Sequence, residues 1–444
     1  MPHKPTASAL LENLRPFDSD SHFALAVSGG GDSMGLLALA AQARSIKGAP
    51  HFSVLTVNHG SRKAAVAEAA QVAAQCEKFN LPHVALMADT NLRKSDFQQQ
   101  ARNMRYRLMS AWCAEHGARG LVVAHHRDDQ AETVLMRMAR GSGMSGLSGM
   151  APRQLLYTET APLLLLRPLL KYGGAELKAL AYEAGLPVID DPSNYDPKFE
   201  RVRWRRLLPL LQAEGLGAAR LAEIAAEMRL LQAALDEKLT AWLDHHASWH
   251  DYGVLSLPRT DFDALPLSHK QRFIGRFVQY FGQHAHPVKR RKADRLLRQI
   301  EETPHGGASA GGLHLRWRKR HVFLGREAAA CPEPVAISDM TLNLDGPFDS
   351  HFDRRFALSD ANGAKHFQLG ALGPHGVAEM RARGFSFDKA VPAAYYAALP
   401  GIFDGDKLLH CPLFSSSAES LADFKLHSVY YRGFYRDIIA GRQG

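Results

Sequence analysis

Over residues 1–150, short apolar runs alternate with stretches of helical periodicity. The apolar runs predict four strands, at Phe23–Val27, Phe52–Val57, His83–Met87 and Leu121–Ala124. Between them, apolar positions recur every three to four residues and predict helices near Ser33–Ile46, Lys63–Phe79 and Phe97–His116, with a further helix from Asp128. Because strands that alternate with helices are typical of a parallel sheet with crossover helices, we expect a Rossmann-like α/β fold here.

The rest of the chain has a different pattern. Residues 192–206 are charged and irregular, whereas apolar positions from Leu221 to Trp242 keep a spacing of three to four residues and predict a linker helix. Residues 254–325 mix strand and helix patterns, with a flexible turn region at Gly306–Gly312, and short strands with Gly and Pro punctuation follow Pro332. We predict an N-terminal domain at 1–215, a middle domain with the linker helix at 216–330, and a smaller mixed α+β domain at 331–444.

The first predicted strand leads into three consecutive glycines, Gly29, Gly30 and Gly31, which lie between Ser28 and the pair Asp32-Ser33. Glycine lets the backbone bend sharply and approach a ligand without a Cβ clash. The N–H groups of such a loop and the positive end of the following helix together favour a phosphate. The loop lacks the Gly-Lys-Ser/Thr ending of a Walker A motif, so it predicts a phosphate site of another kind.

A second polar cluster, His125–Thr133, follows the fourth predicted strand and opens a helix. Its carboxylates Asp128, Asp129 and Glu132 are ordinary partners of a helix dipole, but they also suit Mg²⁺ or an ammonium group. A third cluster, Asn58–Arg62, follows the second strand. Because the carboxyl ends of parallel strands share one edge of a sheet, we expect the three clusters to meet at one active site.

The chain carries a net charge of +9 and has a sequence pI near 9.3, which favours a polyanionic partner such as nucleic acid. Cationic side chains are grouped in three segments, Lys198–Arg206, Lys289–Lys292 and Arg316–His321, and two of these include a tryptophan. Such groups suit phosphate contact and base stacking. The predicted nucleic-acid contacts are Arg203, Arg205, Arg316, Arg318 and Arg320. Arg102, one helical turn before Tyr106, is a candidate phosphate clamp.

Other features limit the class of protein. The N-terminus has no apolar signal-peptide core, and no apolar run reaches the roughly 18 residues that span a bilayer, so we expect a cytoplasmic protein without a membrane partner. The four cysteines are scattered and form no C-x-x-C pair, which argues against zinc or iron–sulfur sites. The glycine pattern Gly141–Gly146 follows a helix, so it predicts a mobile loop near the site and no dinucleotide fingerprint.

Together these motifs resemble the tRNA(Ile)-lysidine synthetase family of PP-loop ATP pyrophosphatases. The matching segments are Ser28–Ser33, Asn58–Arg62, Ala101–Tyr106, His125–Thr133 with Arg140–Gly143 and Gly146–Leu147, Arg167–Leu170 and Asp191–Asn194. Their order and spacing extend over residues 1–210, and the long motif from His125 distinguishes this family from other PP-loop enzymes. Residues 260–325 resemble the family's tRNA-binding middle domain more weakly, and residues after 332 match loosely.

The resemblance implies a ligase that forms a carbon–nitrogen bond. ATP would adenylate the C2 carbonyl oxygen of the wobble cytidine in the CAU anticodon of tRNA(Ile), with release of pyrophosphate. An amine of free L-lysine would then attack C2 and displace AMP, which gives lysidine. The implied cofactors are ATP as co-substrate and Mg²⁺, and the implied partners are tRNA(Ile) and L-lysine. A homodimer is left open.

The resemblance also implies roles for single residues. The ATP phosphates would lie on Ser28, Gly29, Gly30, Gly31, Asp32 and Ser33. Asp32, Asp129, Glu132 and Arg102 would be catalytic, with Asp32 and Asp128 as metal ligands. Asp129 and Glu132 are both candidates for the lysine ammonium, and the sequence does not divide the roles between them. Arg102, together with either Arg203 or Arg205, would contact ATP or a tRNA phosphate.

Two other functions compete with this one. A PP-loop tRNA thiolase would deliver sulfur to the activated base, but such enzymes commonly use a catalytic cysteine or a C-x-x-C cluster. A non-catalytic RNA-binding protein on a degenerate nucleotide fold would be a different class altogether. The intact Ser28–Ser33 loop and the Asp128, Asp129 and Glu132 cluster argue against it.

Overall fold

The computed structural model describes residues 4–58, 63–88, 97–158, 160, 162–250, 252–282, 290–337, 351–352, 356–358, 367–414 and 426–428. The chain divides into two compact units, Met1–Gln232 and Ala233–Gly444. The boundary falls inside a long helix, Ala218–His246, which covers the predicted linker helix. The division into three domains stays a prediction.

The first unit contains a six-stranded sheet with the order β3-β2-β1-β4-β6-β5. The strands are β1 (His22–Ala26), β2 (His51–Asn58), β3 (His83–Met87), β4 (Leu121–Val122), β5 (Arg153–Tyr157) and β6 (Pro162–Leu166). Every neighbouring pair is parallel except β5 and β6, which are antiparallel. The predicted α/β fold with a mainly parallel sheet is therefore confirmed, and the antiparallel edge is an addition to it.

Helices accompany this sheet; some pack on its two faces, and others form a separate core cluster through Val134, Leu208 and Leu221. They are α1 (Ala7–Leu14), α2 (Gly31–Ala43), α3 (Lys63–Lys78), α4 (Phe97–Glu115), α5 (Arg127–Ala139), α6 (Met144–Leu147), α7 (Gly174–Glu183), α8 (Glu200–Ala213) and α9 (Ala218–His246). On β1, Phe23 and Leu25 belong to the core shared with α2, whereas Ala24 belongs to the core shared with α4. This alternation is the period of two that a sheet buried on both faces requires.

The position of α2 depends on a close contact with α7. A Cβ atom on Gly35 would lie 2.3 Å from the carbonyl oxygen of Leu177, so only glycine allows these two helices to approach this closely. Leu36 and Leu177 are fully buried in the same core. Since α2 begins at Gly31, this packing also fixes the glycine loop at the carboxyl end of β1.

The second unit contains a five-stranded antiparallel sheet with the order β7-β8-β11-β10-β9. Its elements are β7 (Ser248–His250), β8 (Val254–Pro258), α10 (Arg259–Ala264), α11 (Leu267–Phe281), α12 (Arg290–Glu302), β9 (Gly306–Ala310), β10 (Leu313–Trp317) and β11 (His321–Arg326). The predicted turn region at Gly306–Gly312 is wrong for its first five residues, which form β9. A Cβ on Gly306 would lie 2.5 Å from the ring of Trp317, so this glycine permits close strand packing.

The remaining described elements form two small sheets and a helix. They are β12 (Val335–Ala336), β13 (His351–Phe352), β14 (Phe356–Leu358), β15 (Gln368–Ala371), α13 (Gly373–Ala382), β16 (Pro400–Asp404), β17 (Lys407–His410) and β18 (Leu426–Ser428). The short 3₁₀ helix Ala393–Ala398 carries Tyr395, whose hydroxyl donates to the carbonyl oxygens of Phe323 at 2.9 Å and of His314 at 3.1 Å. Tyr395 is therefore held against β10 and β11 of the five-stranded sheet.

The charged stretch at 192–206 is more regular than its sequence pattern predicts. Pro192–Tyr195 is a 3₁₀ helix, and α8 begins at Glu200, so Arg201, Arg203 and Arg205 all lie on a helix. Residues at i and i+4 share a helix face, whereas i+2 points away from it. Arg201 and Arg205 consequently lie on one face of α8, and Arg203 lies on another.

Candidate active site

The glycine loop is held by a serine at each end. The hydroxyl of Ser33 donates to the carbonyl oxygen of Gly30 at 2.9 Å, and the backbone N–H of Ser28 donates to the same hydroxyl at 3.2 Å. The two serine hydroxyls lie 3.4 Å apart. These bonds close the loop on itself between β1 and the first turn of α2, where the free N–H groups of a helix favour an anion.

The three glycines have different surroundings. Gly29 has a φ of +86°, and a Cβ there would lie 2.4 Å from Cδ1 of Ile189. A Cβ on Gly31 would lie 2.5 Å from Cγ of Lys178. A Cβ on Gly30, by contrast, would meet only the Ser28 hydroxyl at 3.8 Å. Gly30 therefore borders open space, which is where a backbone that cradles a phosphate needs to be bare.

The acidic cluster meets the glycine loop through a buried histidine. His126 is the N-cap residue of α5 and is 5% exposed. Its Nε2 lies 3.3 Å from Oδ2 of Asp32 and 3.5 Å from Oδ2 of Asp129. Its Nδ1 lies 3.2 Å from the backbone nitrogen of Asp128 and 3.7 Å from the carboxylate of that residue. Three carboxylates thus surround one imidazole.

The electrostatics of this group follow from burial and proximity. Burial opposes a charge on His126, but the hydrogen bond to Asp32 and the charges of Asp129 and Asp128 outweigh it and raise the pKa of the ring to about 9. Burial likewise opposes ionisation of Asp129, yet the charge of His126 and the backbone N–H of that residue lower the pKa of Asp129. Asp129 is therefore ionised at neutral pH and is a weak base.

Glu132 is enclosed more completely than the other carboxylates. Its side chain is fully buried, and its Oε1 accepts a hydrogen bond of 2.7 Å from Nε of Arg205. Its Oε2 is buried and has no hydrogen-bond partner among the described residues. Burial raises the pKa of Glu132, against the opposing charge of Arg205. The carboxylate therefore presents one paired oxygen and one that a cationic ligand would satisfy.

Other cations lie around His125. Nε of Arg167 donates to Nδ1 of His125 at 3.3 Å. Burial lowers the pKa of His125 well below its usual range, and the charges of Arg167, Arg201 and Arg102 add to that effect. The guanidinium of Arg102 also lies 5.0 Å from the centre of the Tyr106 ring. Arg102 is thus part of this electrostatic group, and its catalytic role stays a prediction.

Two of these residues were not predicted as site residues. Arg167 occurs in the matched Arg-Pro-Leu-Leu segment, and Arg201 occurs in a basic stretch whose sequence pattern predicts an irregular conformation. The helical spacing of Arg201 and Arg205 is the signal that identifies the pair. Arg203 is exposed and donates to the carbonyl oxygens of Pro197 and Lys198, both at 2.9 Å. The structure does not bring Arg203 to the carboxylates.

The other predicted residues lie in different parts of the chain. Arg316, Arg318 and Arg320 are exposed side chains of the second unit, on β10 and the turn to β11. Asn58 is buried at the end of β2, but His59–Arg62 of its cluster lie outside the described residues, as does Lys289.

Magnesium is implied by the family resemblance, and the site offers a partial fit. Within the described ranges, no three His, Cys, Asp or Glu side chains are grouped as a protein-only metal site requires. Mg²⁺, however, is usually held by one or two carboxylates together with substrate phosphates and water. Oδ1 of Asp32 is buried without a hydrogen-bond partner in the described structure and lies beside the glycine loop. Asp128 is less free, because its Oδ2 accepts from the Gly174 N–H at 2.9 Å.

The loop after α5 is anchored at its base. The guanidinium of Arg137 donates to the carbonyl oxygen of Gly149 at 2.6 Å, and that of Arg229 donates to Ser148 at 2.6 Å. Gln130 exchanges two hydrogen bonds with the backbone of Met150, of 2.6 and 2.9 Å. Residues 148–150 are buried, whereas residues 143–145 are exposed. The predicted loop near the site is therefore fixed at one end and open at the other.

Along the ranges that the structure covers, no helix combines the length and the apolar character that crossing a bilayer requires.

Comparison with known proteins identifies the family of this chain. The family model of the PP-loop domain matches residues 3–211. The tRNA(Ile)-lysidine synthase of a Bradyrhizobium species is 37% identical over 347 residues, which cover 76% of this chain and 95% of the relative. The enzyme of that name from Ruegeria pomeroyi is 32% identical over 399 residues, or 88% of each chain.

A solved structure, the U34-tRNA thiolase NcsA from Methanococcus maripaludis, aligns with a TM-score of 0.43 and 16% identity, over 51% of this chain and 77% of that one. This likeness is too low to bear on function. The sequence relatives, by contrast, are matched over most of their length at more than 30% identity. The chain belongs to the tRNA(Ile)-lysidine synthase family of ligases.

Proposed function

We propose that the protein uses ATP to join free L-lysine to C2 of the wobble cytidine in the CAU anticodon of tRNA(Ile). The observation that carries the proposal is the contact between the two motifs of the site. Asp32 of the glycine loop and Asp129 of the acidic cluster both lie within 3.5 Å of Nε2 of His126. The glycine loop and the acidic cluster are therefore adjacent, which supports a reaction in which a phosphate and a cationic amine must meet.

In the first step, the loop Ser28–Ser33 holds the pyrophosphate part of ATP. The C2 carbonyl oxygen of the cytidine attacks the α phosphorus, and the bond to the β phosphate breaks with release of pyrophosphate. Backbone N–H groups at the loop and the cationic His126 stabilise the charge that develops there. We assign Asp32 Oδ1 as the ligand of Mg²⁺, which would neutralise phosphate charge when bound.

In the second step, an amine of lysine attacks C2, and AMP leaves with the former carbonyl oxygen. The lysine ammonium must first lose a proton, so it needs both a carboxylate for binding and a base. Glu132 suits both needs better than Asp129 does. Its Oε2 is unpaired in the described structure and burial raises its pKa, whereas the pKa of Asp129 is lowered.

Three of the four cysteines, which are buried, give the thiolase alternative no support. Cys76 and Cys113 are buried in the core of the first unit, and burial raises their pKa values to about 11 and about 12. Cys411 is buried in the second unit with its pKa raised to about 12. Thiols of this kind are poor nucleophiles, because the thiolate is the reactive form.

The experiment measures AMP release from ATP with tRNA(Ile) alone, with added lysine and with a sulfur donor. We expect AMP release to depend on lysine and the wobble nucleoside to gain the mass of one lysine less one water. A tRNA with uridine in place of the wobble cytidine is the matched control and should give no product. Sulfur incorporation without a requirement for lysine would instead establish the thiolase function.

We further propose that the protein acts in the cytoplasm and that residues 216–330 and 331–444 contribute to tRNA recognition. The homodimer remains an open prediction, which light scattering of the purified protein with and without tRNA would decide.

A further inference from the structure

Helix α12 of the second unit has one apolar and one cationic face. Its buried side chains Ala293, Leu296, Leu297 and Ile300 pack into the core with α11 and the five-stranded sheet. Arg291, Arg295 and Arg298 recur at i, i+4 and i+7, so they share the opposite face, and all three are exposed. Lys292 is exposed beside them. We call the three arginines the α12 stripe.

The α12 stripe has an exposed carboxylate at its C-terminal end, Glu302, which follows Arg298 at i+4. No ion pair joins Arg291, Arg295 or Arg298 to an acidic side chain in the ranges that the structure describes. Asp294, the acidic residue in the middle of the helix, accepts a hydrogen bond of 2.6 Å from Gln271 of α11. An exposed row of unpaired guanidinium groups is typical of a surface that contacts phosphates.

The α12 stripe and the predicted basic group on β10 belong to different faces of one sheet. Leu313, Leu315 and Trp317 of β10 point into the core that holds α12. Arg316 alternates with them and points to the other face. There Arg318 lies 5.7 Å from the ring centre of Phe323, and Tyr395 packs against the same face. One straight nucleic-acid duplex therefore could not contact the α12 stripe and the β10 arginines to the same extent.

We propose that the α12 stripe is the principal phosphate-contacting surface of the second unit and that it grips the tRNA backbone without reading sequence. This inference rests on the proposed function for the identity of its polyanion. The three guanidinium groups are placed about 6 and 10 Å along the helix axis from the first, at a rise of about 1.5 Å per residue. Such a row follows successive phosphates of one strand, and phosphate contacts position a nucleic acid without specifying its bases.

The test compares two variants of equal net charge. One carries Arg291→Gln, Arg295→Gln and Arg298→Gln, and its control carries Arg316→Gln, Arg318→Gln and Arg320→Gln. The dissociation constant for tRNA is measured against salt, for tRNA(Ile) and for an unrelated tRNA. Each lost phosphate contact flattens the log–log slope by about 0.7 to 0.9. The three substitutions should therefore flatten it by about 2.1 to 2.7, equally for both tRNAs.

The control variant should lose clearly less slope than the stripe variant. An equal change of salt slope in both variants would overturn the proposal, because tRNA binding would then follow net charge alone. An unchanged slope in the stripe variant would also overturn it. A variant with only Arg295→Gln, compared by thermal unfolding with the parent, guards against misfolding. Lysine-dependent AMP formation by the parent protein separates the proposed function from the proposed role of the α12 stripe. If the parent forms no AMP in response to lysine, the proposed function is contradicted. If it does, and the salt slope of the stripe variant is unchanged, only the role of the α12 stripe is contradicted.

Discussion

Nε2 of His126 lies 3.3 Å from Oδ2 of Asp32, so the N-cap of α5 touches the first turn of α2. The two helices follow different strands, β4 and β1, which are neighbours in the sheet. The contact therefore joins the glycine loop to the acidic cluster across adjacent strand ends. It also leaves Oδ1 of Asp32 without a partner in the described structure and available to a ligand.

Replacement of Asp32 tests this contact directly. Asp32→Asn keeps the shape of the side chain and removes its charge, and we expect AMP formation to fall by about 100-fold or more, as with other groups that stabilise transition-state charge. The pKa of His126 should fall too, because one of its carboxylates is lost. Turnover and NMR titration of the ring measure the two effects. Exposed Asp20→Asn is the control, and near-parental turnover in Asp32→Asn would contradict the assignment.

The glycines of the loop should respond differently to a methyl group. Gly30→Ala has room within the protein, so it should fold normally and lose ATP affinity because the Cβ meets the phosphate. Gly29→Ala must adopt a φ of +86° and displace Ile189. It should lose stability by about 1–2 kcal/mol or more. Thermal unfolding with ATP titration separates the two outcomes. Unchanged ATP binding by a folded Gly30→Ala protein would show that the ligand does not lie at this glycine.

Glu132→Gln should affect lysine more than ATP. The substitution removes the negative charge that pairs with Arg205 and that we assign to the lysine amine. Loss of a charge-assisted hydrogen bond should raise the KM for lysine about ten- to a hundredfold and leave the KM for ATP near its parental value. Glu223→Gln on α9, which is exposed, is the control. A parallel rise in both KM values would assign Glu132 to a structural or metal role.

His83 gives the first unit a pH-dependent stability. Burial lowers the pKa of its ring, whose Nε2 lies 3.0 Å from the Thr56 hydroxyl. The unfolded chain therefore binds a proton more readily than the folded one, and the contribution of His83 is complete above the unfolded pKa near 6.5 and is lost as the pH falls below it. His83→Gln should show a smaller loss of melting temperature between pH 7.5 and pH 5.5 than the parent. An identical loss in both proteins would exclude this role.

The sequence predicted those parts of the fold that local patterns determine. β3 has its predicted bounds, and β1, β2 and α2 differ from prediction by one to a few residues. The antiparallel pairing of β5 and β6 was not predicted, because a choice of partner at a sheet edge depends on residues distant in sequence. At Gly306–Ala310 the glycines indicated a turn, but close packing against Trp317 requires them in a strand.

The composition of the site was easier to predict than its geometry. The sequence singles out Asp32, Asp129 and Glu132 by their places after predicted strands and by the family resemblance, but only the fold shows that His126 joins the first two. The choice between Arg203 and Arg205 required the start of α8, since a shift of two residues on a helix reverses the direction of a side chain. Identification of the α12 stripe required the burial of the α12 side chains, because the sequence does not distinguish an exposed arginine from a paired one.

The hydroxyl of Tyr395 donates hydrogen bonds to the backbone of β10 and β11. A C-terminal truncation that removes Tyr395 would therefore expose part of the five-stranded sheet. Phe323 and Val254 are covered by the same aromatic cluster. A chain ended near residue 330 would uncover this apolar surface and leave a hydrophobic plane open to self-association. If such a truncated protein failed to bind tRNA, the cause would be aggregation of the remaining sheet. Substitutions at exposed positions are therefore the sounder way to test whether the last hundred or so residues recognise tRNA.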